Sequence, residues 1–299
     1  MNILITGGAG YVGTRLAELL HEKNSVNQIV VYDNLSRENY GFFFGTEKLP
    51  KVRFVKGDIL DNHKLENELR SIDAVIHLAG HVAFPYNHLQ NLQYEQINRW
   101  GTLSVARAVE RTGRVKRFFY LSSLAVYGFG KNMKFEDEPK PANAYGVSKY
   151  EAEKYVLLLK KKCRVNIMRS GNVFGFNRMV RLDSVMNSFF FEACVKGNMK
   201  IYGNGEQLRT FVHIDRLTRQ MVDTLLNADA PTLTYAADFS ASLNEIKDIL
   251  VEQQPDFEYT YINQNQSFDD QQFVIPTPRE NIKQEVTAAY TDFKSKFIL

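Results

Sequence analysis

The sequence predicts an α/β fold built on a doubly wound parallel sheet, and three observations support this prediction. Short segments rich in Val, Ile and Phe alternate with longer segments whose apolar residues recur three or four positions apart. A glycine-rich turn joins the first short segment to the first long one, as in strand-helix-strand units. Hydrophobic residues form 44% of the 299 residues, which is enough for the core of one large domain or two modest ones.

Six segments have the composition of buried strands, and four have the apolar spacing of helices that cover a sheet. The predicted strands are residues 2–6, 28–32, 52–56, 74–78, 117–122 and 164–168. The predicted helices are residues 11–21, 61–69, 94–110 and 144–161. The alternation weakens after Asn172, so we expect a smaller, interwoven C-terminal domain that binds the substrate. We assign residues 1–172, with a return segment at about 207–240, to the sheet domain, and residues 173–206 and 241–299 to the smaller one.

Composition and charge give no reason to expect a nucleic acid or a membrane as a partner. The formal net charge is only +3, and the short basic cluster at residues 160–162 lies at a predicted helix end, where cations complement the helix dipole. No apolar run reaches membrane-spanning length, and the N-terminus does not resemble a signal peptide. Cys163 and Cys194 form no disulfide framework, which suits a reducing compartment, so we expect a cytoplasmic protein.

The glycine-rich segment at residues 6–13 directly follows the first predicted strand and opens the first helix. Its glycines permit a tight turn and let backbone amides approach a pyrophosphate at the positive end of the helix dipole. Asp33 ends the second strand, where a carboxylate accepts hydrogen bonds from the adenosine ribose and repels a 2′-phosphate. The pattern favours NAD over NADP as the cofactor. The alternative is that Asp33 only caps the loop at residues 34–36.

Two later strand ends are predicted to meet the same cofactor. Asp58 closes the third strand and is placed to bond the adenine amino group. Residues 78–80 close the fourth strand and include small residues, which let the cofactor pass close. The residues predicted to bind the cofactor are Gly7, Gly10, Tyr11, Val12, Gly13, Asp33, Asn34, Asp58, Ile59, Leu78, Ala79, Gly80, Tyr145 and Lys149.

A second group of residues is predicted to carry proton transfer. Tyr145 and Lys149 are four residues apart, so they share one face of a helix, and Ser123 follows the fifth strand. A neighbouring Lys cation favours the phenolate of a tyrosine, which then takes or gives the proton of a sugar hydroxyl while Ser123 holds the same oxygen. Tyr150 and Lys154 have the same spacing but are rotated by about 140° around the helix. We choose Tyr145 because it lies at the helix start.

Together these segments resemble the extended short-chain dehydrogenase/reductase family, in particular its NAD-dependent nucleotide-sugar epimerases and dehydratases, over at least residues 1–217. The resemblance implies that residues 1–172 form a Rossmann domain that binds NAD and that the catalytic residues are Ser123, Tyr145 and Lys149. It also implies a nucleotide-diphosphate-sugar substrate. The substrate-binding residues that it implies are Ser123, Tyr145, Asn172, Arg209 and, as a second clamp on the diphosphate, Arg279.

The resemblance further implies a homodimer, because members of this family often pair through helices equivalent to residues 94–110 and 144–161. One departure from the family pattern narrows the chemistry. The dehydratases place Asp and Glu directly after the catalytic Ser or Thr, whereas this chain has Leu124 and Ala125, which move no protons. The same departure argues against decarboxylases of nucleotide-sugar acids.

The leading hypothesis is therefore an NAD-dependent nucleotide-sugar epimerase that acts at C4 through a transient 4-keto sugar, with Tyr145 as acid and base. The alternative is a nucleotide 4-keto-sugar reductase or dehydrogenase, which uses the same residues but consumes a reduced cofactor. A third hypothesis is a sensor or scaffold that binds NAD without catalysis. We expect no metal, because His77, His81 and His88 lie close in sequence without supporting carboxylates or cysteines.

Overall fold

The computed structural model describes residues 1–45, 48–82, 91–266, 268–275 and 281–296. Within these residues the strands are β1 (Asn2–Thr6), β2 (Gln28–Asp33), β3 (Val52–Lys56), β4 (Ala74–His77), β5 (Arg117–Ser123), β6 (Gly130–Met133), β7 (Arg164–Ser170), β8 (Asn172–Phe174), β9 (Asn198–Tyr202), β10 (Leu208–His213), β11 (Leu233–Ala236), β12 (Phe239–Ser242), β13 (Glu258–Ile262) and β14 (Gln271–Phe273). The helices are α1 (Tyr11–His21), α2 (Asn62–Leu69), α3 (Asn91–Gln93), α4 (Thr102–Thr112), α5 (Ala144–Leu158), α6 (Val185–Phe191), α7 (Ile214–Leu226), α8 (Leu243–Gln253) and α9 (Ile282–Ser295).

Seven parallel strands form the central sheet in the order β11-β7-β5-β4-β1-β2-β3. The predicted doubly wound parallel sheet is therefore confirmed. The strand order reverses between β1 and β4, where the chain first adds β2 and β3 on one side and then β4 and β5 on the other. Ligands of such sheets bind at this switch point, beyond the carboxyl ends of the strands.

Alternating residues of each central strand enter two separate cores, one on each face of the sheet. Ile3 and Ile5 pack with α1 and α7, whereas Leu4 packs with α2, α4 and α5. All three side chains are fully buried, so both faces are covered by helices, and the strands appear in the sequence as continuous apolar runs.

A third core lies outside the central sheet and unites distant parts of the C-terminal half. It gathers Phe174, Phe211, Phe239 and Phe293, each at most 2% exposed, around α6, α8 and α9. A second sheet, β12-β10-β14-β6 with β8 beside β10, lies against it, and β9 pairs with β13. The segment predicted to return to the first domain is divided, because β11 joins the central sheet while β10 joins the second one. The division into two domains stays a prediction.

Most predicted boundaries agree with the structure within two residues, but two helices differ in kind. The helix predicted at 94–110 begins as a π-helical segment, Tyr94–Gly101, and continues as α4 to Thr112, where Gly113 adopts φ 61°. The helix predicted at 144–161 is α-helical only to Leu158 and ends in a 3₁₀ turn, Leu159–Lys161. Of the helices in the described ranges, none has the length and apolar character needed to cross a bilayer.

Candidate active site

The glycine turn brings the end of β1 against the end of β4. Gly7 has φ 66°, and a Cβ added to it would lie 2.7 Å from the Cα of Ala79. A Cβ on Gly13 would lie 2.6 Å from the Cα of Gly8. Only glycine fits these two positions, because the obstructing atoms belong to the backbone. Gly10 caps α1 with no side-chain hydrogen bond, so the first helical amides form a turn that fits a pyrophosphate.

Asp33 joins the glycine turn to the loop that follows β2. Its carboxylate accepts hydrogen bonds from the backbone N of Ala9 at 3.1 Å and of Leu35 at 2.8 Å, and the residue is only 7% exposed. Burial raises the pKa of Asp33, and the two amide hydrogen bonds oppose this rise. Asp33 therefore does cap the loop at residues 34–36, as the alternative interpretation holds. The contact with Ala9 also places its carboxylate at the glycine turn, where a ribose would lie.

The end of β3 is tied to the same loop. Asn34 donates from Nδ2 to Asp58 Oδ2 at 2.9 Å, and Asp58 Oδ1 accepts from the backbone N of Leu60 at 2.9 Å. Ile59 is 6% exposed and contacts Gly101 of the π-helical segment. These predicted cofactor residues therefore lie at the carboxyl edge of the sheet, where the switch-point rule places a nucleotide.

Two predicted cofactor residues, Tyr11 and Val12, have side chains that pack inside the protein. The Tyr11 hydroxyl is buried and donates to the carbonyl oxygen of Gly175 at 2.6 Å, while its own carbonyl accepts from Asn177 at 2.7 Å. Val12 packs against the core on the α1 side of the sheet. The Tyr11 side chain therefore links α1 to the segment that follows β8, and only its backbone amide faces the predicted pyrophosphate position.

The three predicted catalytic residues converge at the carboxyl end of β5. Asn143 caps α5 by accepting a hydrogen bond from Gly146 N at 2.7 Å, which fixes the helix start next to Tyr145. Burial raises the pKa of Tyr145, while a hydrogen bond with the Ser123 side chain lowers it. The Tyr145 ring packs edge-to-face on Tyr94, with centroids 5.7 Å apart. The phenol is therefore held beside Ser123 in a largely dry site.

Lys149 lies one helical turn beyond Tyr145 and is 7% exposed. Its Nζ donates to the carbonyl oxygen of Leu121 at 2.7 Å and lies 4.4 Å from the centroid of the Tyr120 ring. Burial lowers the pKa of Lys149 to about 7, and the charge of Glu153 opposes this decrease. The ammonium group can thus change its charge near neutral pH, which is useful beside a tyrosine that must lose a proton.

His77 lies in a buried chain of hydrogen bonds and not in a metal site. Its Nδ1 is 2.6 Å from Thr6 Oγ1, and its Nε2 is 2.9 Å from Thr102 Oγ1. Thr102 donates to the carbonyl oxygen of Asn98 at 2.5 Å, so we assign the Nε2 proton to His77. Burial lowers the pKa of His77 to about 3. In the described part of the chain, His, Cys, Asp and Glu form no group of three that could hold a metal ion; His88 lies outside it.

The residues at 78–80 pack closely around the glycine turn. Leu78 N donates to the Thr6 carbonyl at 3.1 Å, and Ala79 N is 3.3 Å from Thr6 Oγ1. Gly80 lies against the Asn98 side chain, where an added Cβ would approach Oδ1 to 3.1 Å. Small residues are therefore favoured at this strand end because β1 and the π-helical segment pack closely against it. The predicted passage of a cofactor would be a second reason.

Sequence reasoning missed a buried ion pair beside the catalytic group. Glu153 accepts from Arg169 Nε at 3.0 Å and from Nη2 at 2.6 Å, and its Oε1 also accepts from Ser122 Oγ at 2.5 Å. Both charged residues are less than 7% exposed. A signal was present in the sequence, because Glu153 is four residues after Lys149 and so shares its helix face.

Two further predicted substrate residues, Asn172 and Arg209, lie on the second sheet. Asn172 begins β8 and donates to the Thr210 carbonyl at 3.1 Å. Arg209, in β10, donates from Nη1 to the carbonyl oxygens of Leu208 at 2.8 Å and of Asp269 at 2.7 Å. Arg279 lies outside the described residues. The contacts of Asn172 and Arg209 fix their place in β8 and β10, and their role toward a substrate stays a prediction.

The fold is that of a dinucleotide-binding enzyme, and Ser123, Tyr145 and Lys149 lie together at the carboxyl end of β5. The chain belongs to the NAD-dependent epimerase/dehydratase family, since residues 3–234 match the sequence model of that family. This membership confirms the predicted family, the predicted NAD dependence and the expectation of an enzyme acting on nucleotide sugars.

Proteins with related sequences are named both as epimerases and as dehydratases. The chain is 29% identical over 255 residues to a protein of Methanocaldococcus jannaschii provisionally assigned as a UDP-glucose 4-epimerase, covering 83% of this chain and 81% of the relative. It is 31% identical to the dTDP-D-glucose 4,6-dehydratase of Dictyostelium discoideum, over 71% of this chain but only 52% of that protein. The human dTDP-D-glucose 4,6-dehydratase is 30% identical over 78% of this chain and 67% of its own length.

Solved structures share the fold over nearly the whole chain. The UDP-glucuronic acid 4-epimerase of Bacillus cereus, solved with UDP-glucuronic acid and NAD, gives a TM-score of 0.83 at 21% identity and covers 99% of this chain and 100% of that one. The dTDP-glucose 4,6-dehydratase of Streptomyces venezuelae, solved with NAD, also gives 0.83, at 20% identity and 99% and 98% coverage. At these identities the likeness establishes the fold alone.

Proposed function

We propose that this protein is an NAD-dependent nucleotide-sugar epimerase that acts at C4 of the sugar. The observation that carries the proposal is the convergence of Ser123, Tyr145 and Lys149 at the end of β5, beside the glycine turn. The Gly7, Gly13 and Asp33 geometry fits NAD, because a Cβ would fill the turn and the carboxylate lies at the ribose position.

Each catalytic residue has a role that follows from its surroundings. Bound NAD would supply reversible hydride transfer at the sugar carbon. Tyr145 removes the proton of the C4 hydroxyl and returns it after the 4-keto sugar has turned over, and Ser123 holds the same oxygen. Lys149, with a pKa of about 7, favours the phenolate when protonated. The dry surroundings of Tyr145 strengthen this charge interaction.

The residues after Ser123 favour epimerisation over dehydration, although dehydratases are among the relatives. Leu124 is 1% exposed and packs in a small apolar core, and the backbone N of Ala125 bonds Ser123 Oγ at 3.2 Å. Neither side chain can act as an acid or a base, whereas eliminating water from a sugar requires both. The site therefore supports oxidation and reduction at one carbon.

The substrate and the assembly complete the proposal. We assign the diphosphate to Asn172 and Arg209, because a guanidinium fork suits phosphate oxygens and both residues lie on adjacent strands of the second sheet. Arg279 is retained as a second clamp. We further propose a cytoplasmic homodimer that pairs through the face formed by α4, the π-helical segment before it and α5. Trp100 of the π-helical segment and Leu158 of α5 are 51% and 65% exposed.

A panel of UDP- and dTDP-sugars tests the function. We expect the purified protein to release NAD on heating and to interconvert one C4 epimer pair without added cofactor, as measured by anion-exchange chromatography. Stoichiometric oxidation of added NADH by a 4-keto sugar would replace the epimerase with a reductase. Binding of NAD with no turnover of any sugar in the panel would identify a sensor.

A further inference from the structure

Three consecutive residues at the end of β5 each face a different residue of α5. Lys149 Nζ donates to the Leu121 carbonyl at 2.7 Å, and Glu153 accepts from the Ser122 hydroxyl at 2.5 Å. The Ser123 side chain lies beside Tyr145 and lowers the pKa of its phenol. Residues four apart lie on one helix face, so Tyr145, Lys149 and Glu153 form one stripe along α5. This stripe contacts the strand end that carries Ser123.

Glu153 is the member of this stripe to which the reaction assigns no role, and it is unusually well fixed. The carboxylate is 3% exposed and receives three hydrogen bonds, two of them from Arg169 in a bidentate arrangement. Arg169 in turn donates from Nη1 to the Tyr127 hydroxyl at 2.7 Å, and Tyr127 donates to the Phe135 carbonyl at 2.5 Å. The charge of Glu153 is therefore locked in position one turn beyond Lys149.

We propose that Glu153 is a positioning residue of this site, whose buried carboxylate stabilises the charged form of Lys149 and holds Ser122 so that Ser123 stays beside Tyr145. This inference rests on the proposed function for its catalytic meaning. Its electrostatic part is independent, because it concerns the charge of one buried lysine.

The groups that face this pair come from every neighbouring element. Around Lys149 they are Glu153 of α5, Tyr120 of β5 and His77 of β4. Around Glu153 they are Ser122 and Tyr120 of β5, Arg169 of β7 and Tyr127. In this set, which covers the described residues, Glu153 is the carboxylate that raises the pKa of Lys149 against the effect of burial.

The test replaces Glu153 by Gln, which keeps the shape of the side chain and removes its charge. The titration of Lys149 is read by NMR from ¹³Cε-labelled lysine in the NAD-loaded and the NAD-free protein, with Lys149→Arg to assign the signal. We expect Glu153→Gln to lower the Lys149 pKa by about 1 pH unit, and kcat at pH 7 to fall by about fivefold, as the protonated fraction of Lys149 does, with KM little changed. Glu153→Asp keeps the charge and should restore most of the wild-type titration.

Two further variants separate this role from a structural one. Glu151→Gln removes a carboxylate from the same helix whose partner is the half-exposed Lys154, so it should leave the Lys149 titration unchanged. If Glu153→Gln fails to fold because Arg169 is left unpaired, Glu153→Gln/Arg169→Met removes both buried charges and should still lower the Lys149 pKa.

A folded Glu153→Gln or double variant with the wild-type Lys149 titration would overturn the inference, whatever its melting temperature. Lack of turnover by the wild-type protein would overturn the proposed function alone, because the NMR titration needs no substrate.

Discussion

In the proposed mechanism Tyr145 changes its protonation state in a site that opposes its negative charge. Burial raises the pKa of Tyr145, and the Ser123 hydroxyl and the charge of Arg181 oppose this rise. We expect Tyr145→Phe to reduce kcat by about 10²- to 10⁴-fold, the usual effect of losing a general acid or base, with the melting temperature almost unchanged. Steady-state assays on the sugar identified by the panel measure this loss.

Tyr150→Phe is the matched control, because its ring lies 4.9 Å from Lys154 on another helix face. It should keep wild-type kcat. Equal losses in the two variants, or full activity of Tyr145→Phe, would contradict the assignment of Tyr145.

His77 gives the protein a specific sensitivity to acid. The pKa of His77 is about 3 in the folded state and about 6.5 when unfolded, so in this interval only the unfolded chain binds the proton. The free energy of unfolding should therefore decrease as the pH falls below 6.5, by up to about 1.4 kcal/mol per pH unit from this residue. Urea unfolding between pH 7 and pH 4 should show a shallower pH dependence for His77→Gln than for the wild type.

The exposed His63 of α2 supplies the control for that experiment. His63→Gln should retain the wild-type pH dependence. If His77→Gln also retains it, the proton uptake on unfolding does not come from His77.

At this scale the sequence indicated the grouping of the proposed catalytic residues but not the contacts of the residues around them. Ser123, Tyr145 and Lys149 carry recognisable side chains at recognisable spacings, and the structure brings them together. Glu153 and Arg169 are 16 positions apart and belong to different elements, so only the packing of α5 on β7 reveals their ion pair. The contact between Asp33 and Ala9 was hidden for the same reason, since it depends on the path of the glycine turn.

Among the elements, the glycine turn shows how a backbone constraint differs from a simple conformational preference. Gly7 and Gly113 have nearly equal φ values, 66° and 61°, but an added Cβ meets the Ala79 backbone at 2.7 Å in the first case and nothing within 4 Å in the second. We expect Gly113→Ala to cost about 1–2 kcal/mol, the ordinary price of a left-handed residue. Gly7→Ala should cost more and should also weaken NAD binding.

Urea unfolding and calorimetric titration with NAD measure both effects. Gly113→Ala is the control for cofactor affinity, because it lies at the far end of α4 and should bind NAD as the wild type does. Equal stability losses for the two variants would show that the close approach of β1 and β4 imposes no further constraint.

The π-helical segment Tyr94–Gly101 shows what the periodicity of apolar residues does not predict about a helix. Its apolar spacing predicts a helix, which is present, but the pattern does not distinguish a π turn from an α turn. The reason lies in tertiary contacts, since the Asn98 side chain bonds both the N and the O of His81 and also Ser148. Strand boundaries were easier to predict, because buried parallel strands are continuous apolar runs.

For the molecule as a whole, local patterns predict the central sheet but not the path of the chain through the C-terminal core. The central sheet and its two cores follow from local patterns in residues 1–170. The third core joins Phe174, Phe211 and Phe293, whose separation in sequence exceeds any periodic signal. The chain therefore completes its C-terminal core only after crossing back to the central sheet at α7 and β11.

The π-helical segment, α4 and α5 form a face that carries exposed apolar side chains. Arg99 lies 5.5 Å from the Trp100 ring centroid and bonds the Tyr155 hydroxyl at 3.4 Å, and Leu158 follows one turn later. Since exposed Trp and Leu on one face favour association, we expect a dimer of the 34.4 kDa chain in analytical ultracentrifugation.

Leu158→Asp should shift this equilibrium to the monomer, because it places a charge in the contact that the dimer would desolvate. Val195→Asp alters a side chain of similar exposure near the C-terminal core, away from α4 and α5, and should remain dimeric. A wild-type protein that sediments as a monomer at micromolar concentration would remove the homodimer from the proposal, while the catalytic assignment, whose residues all belong to one chain, would stand.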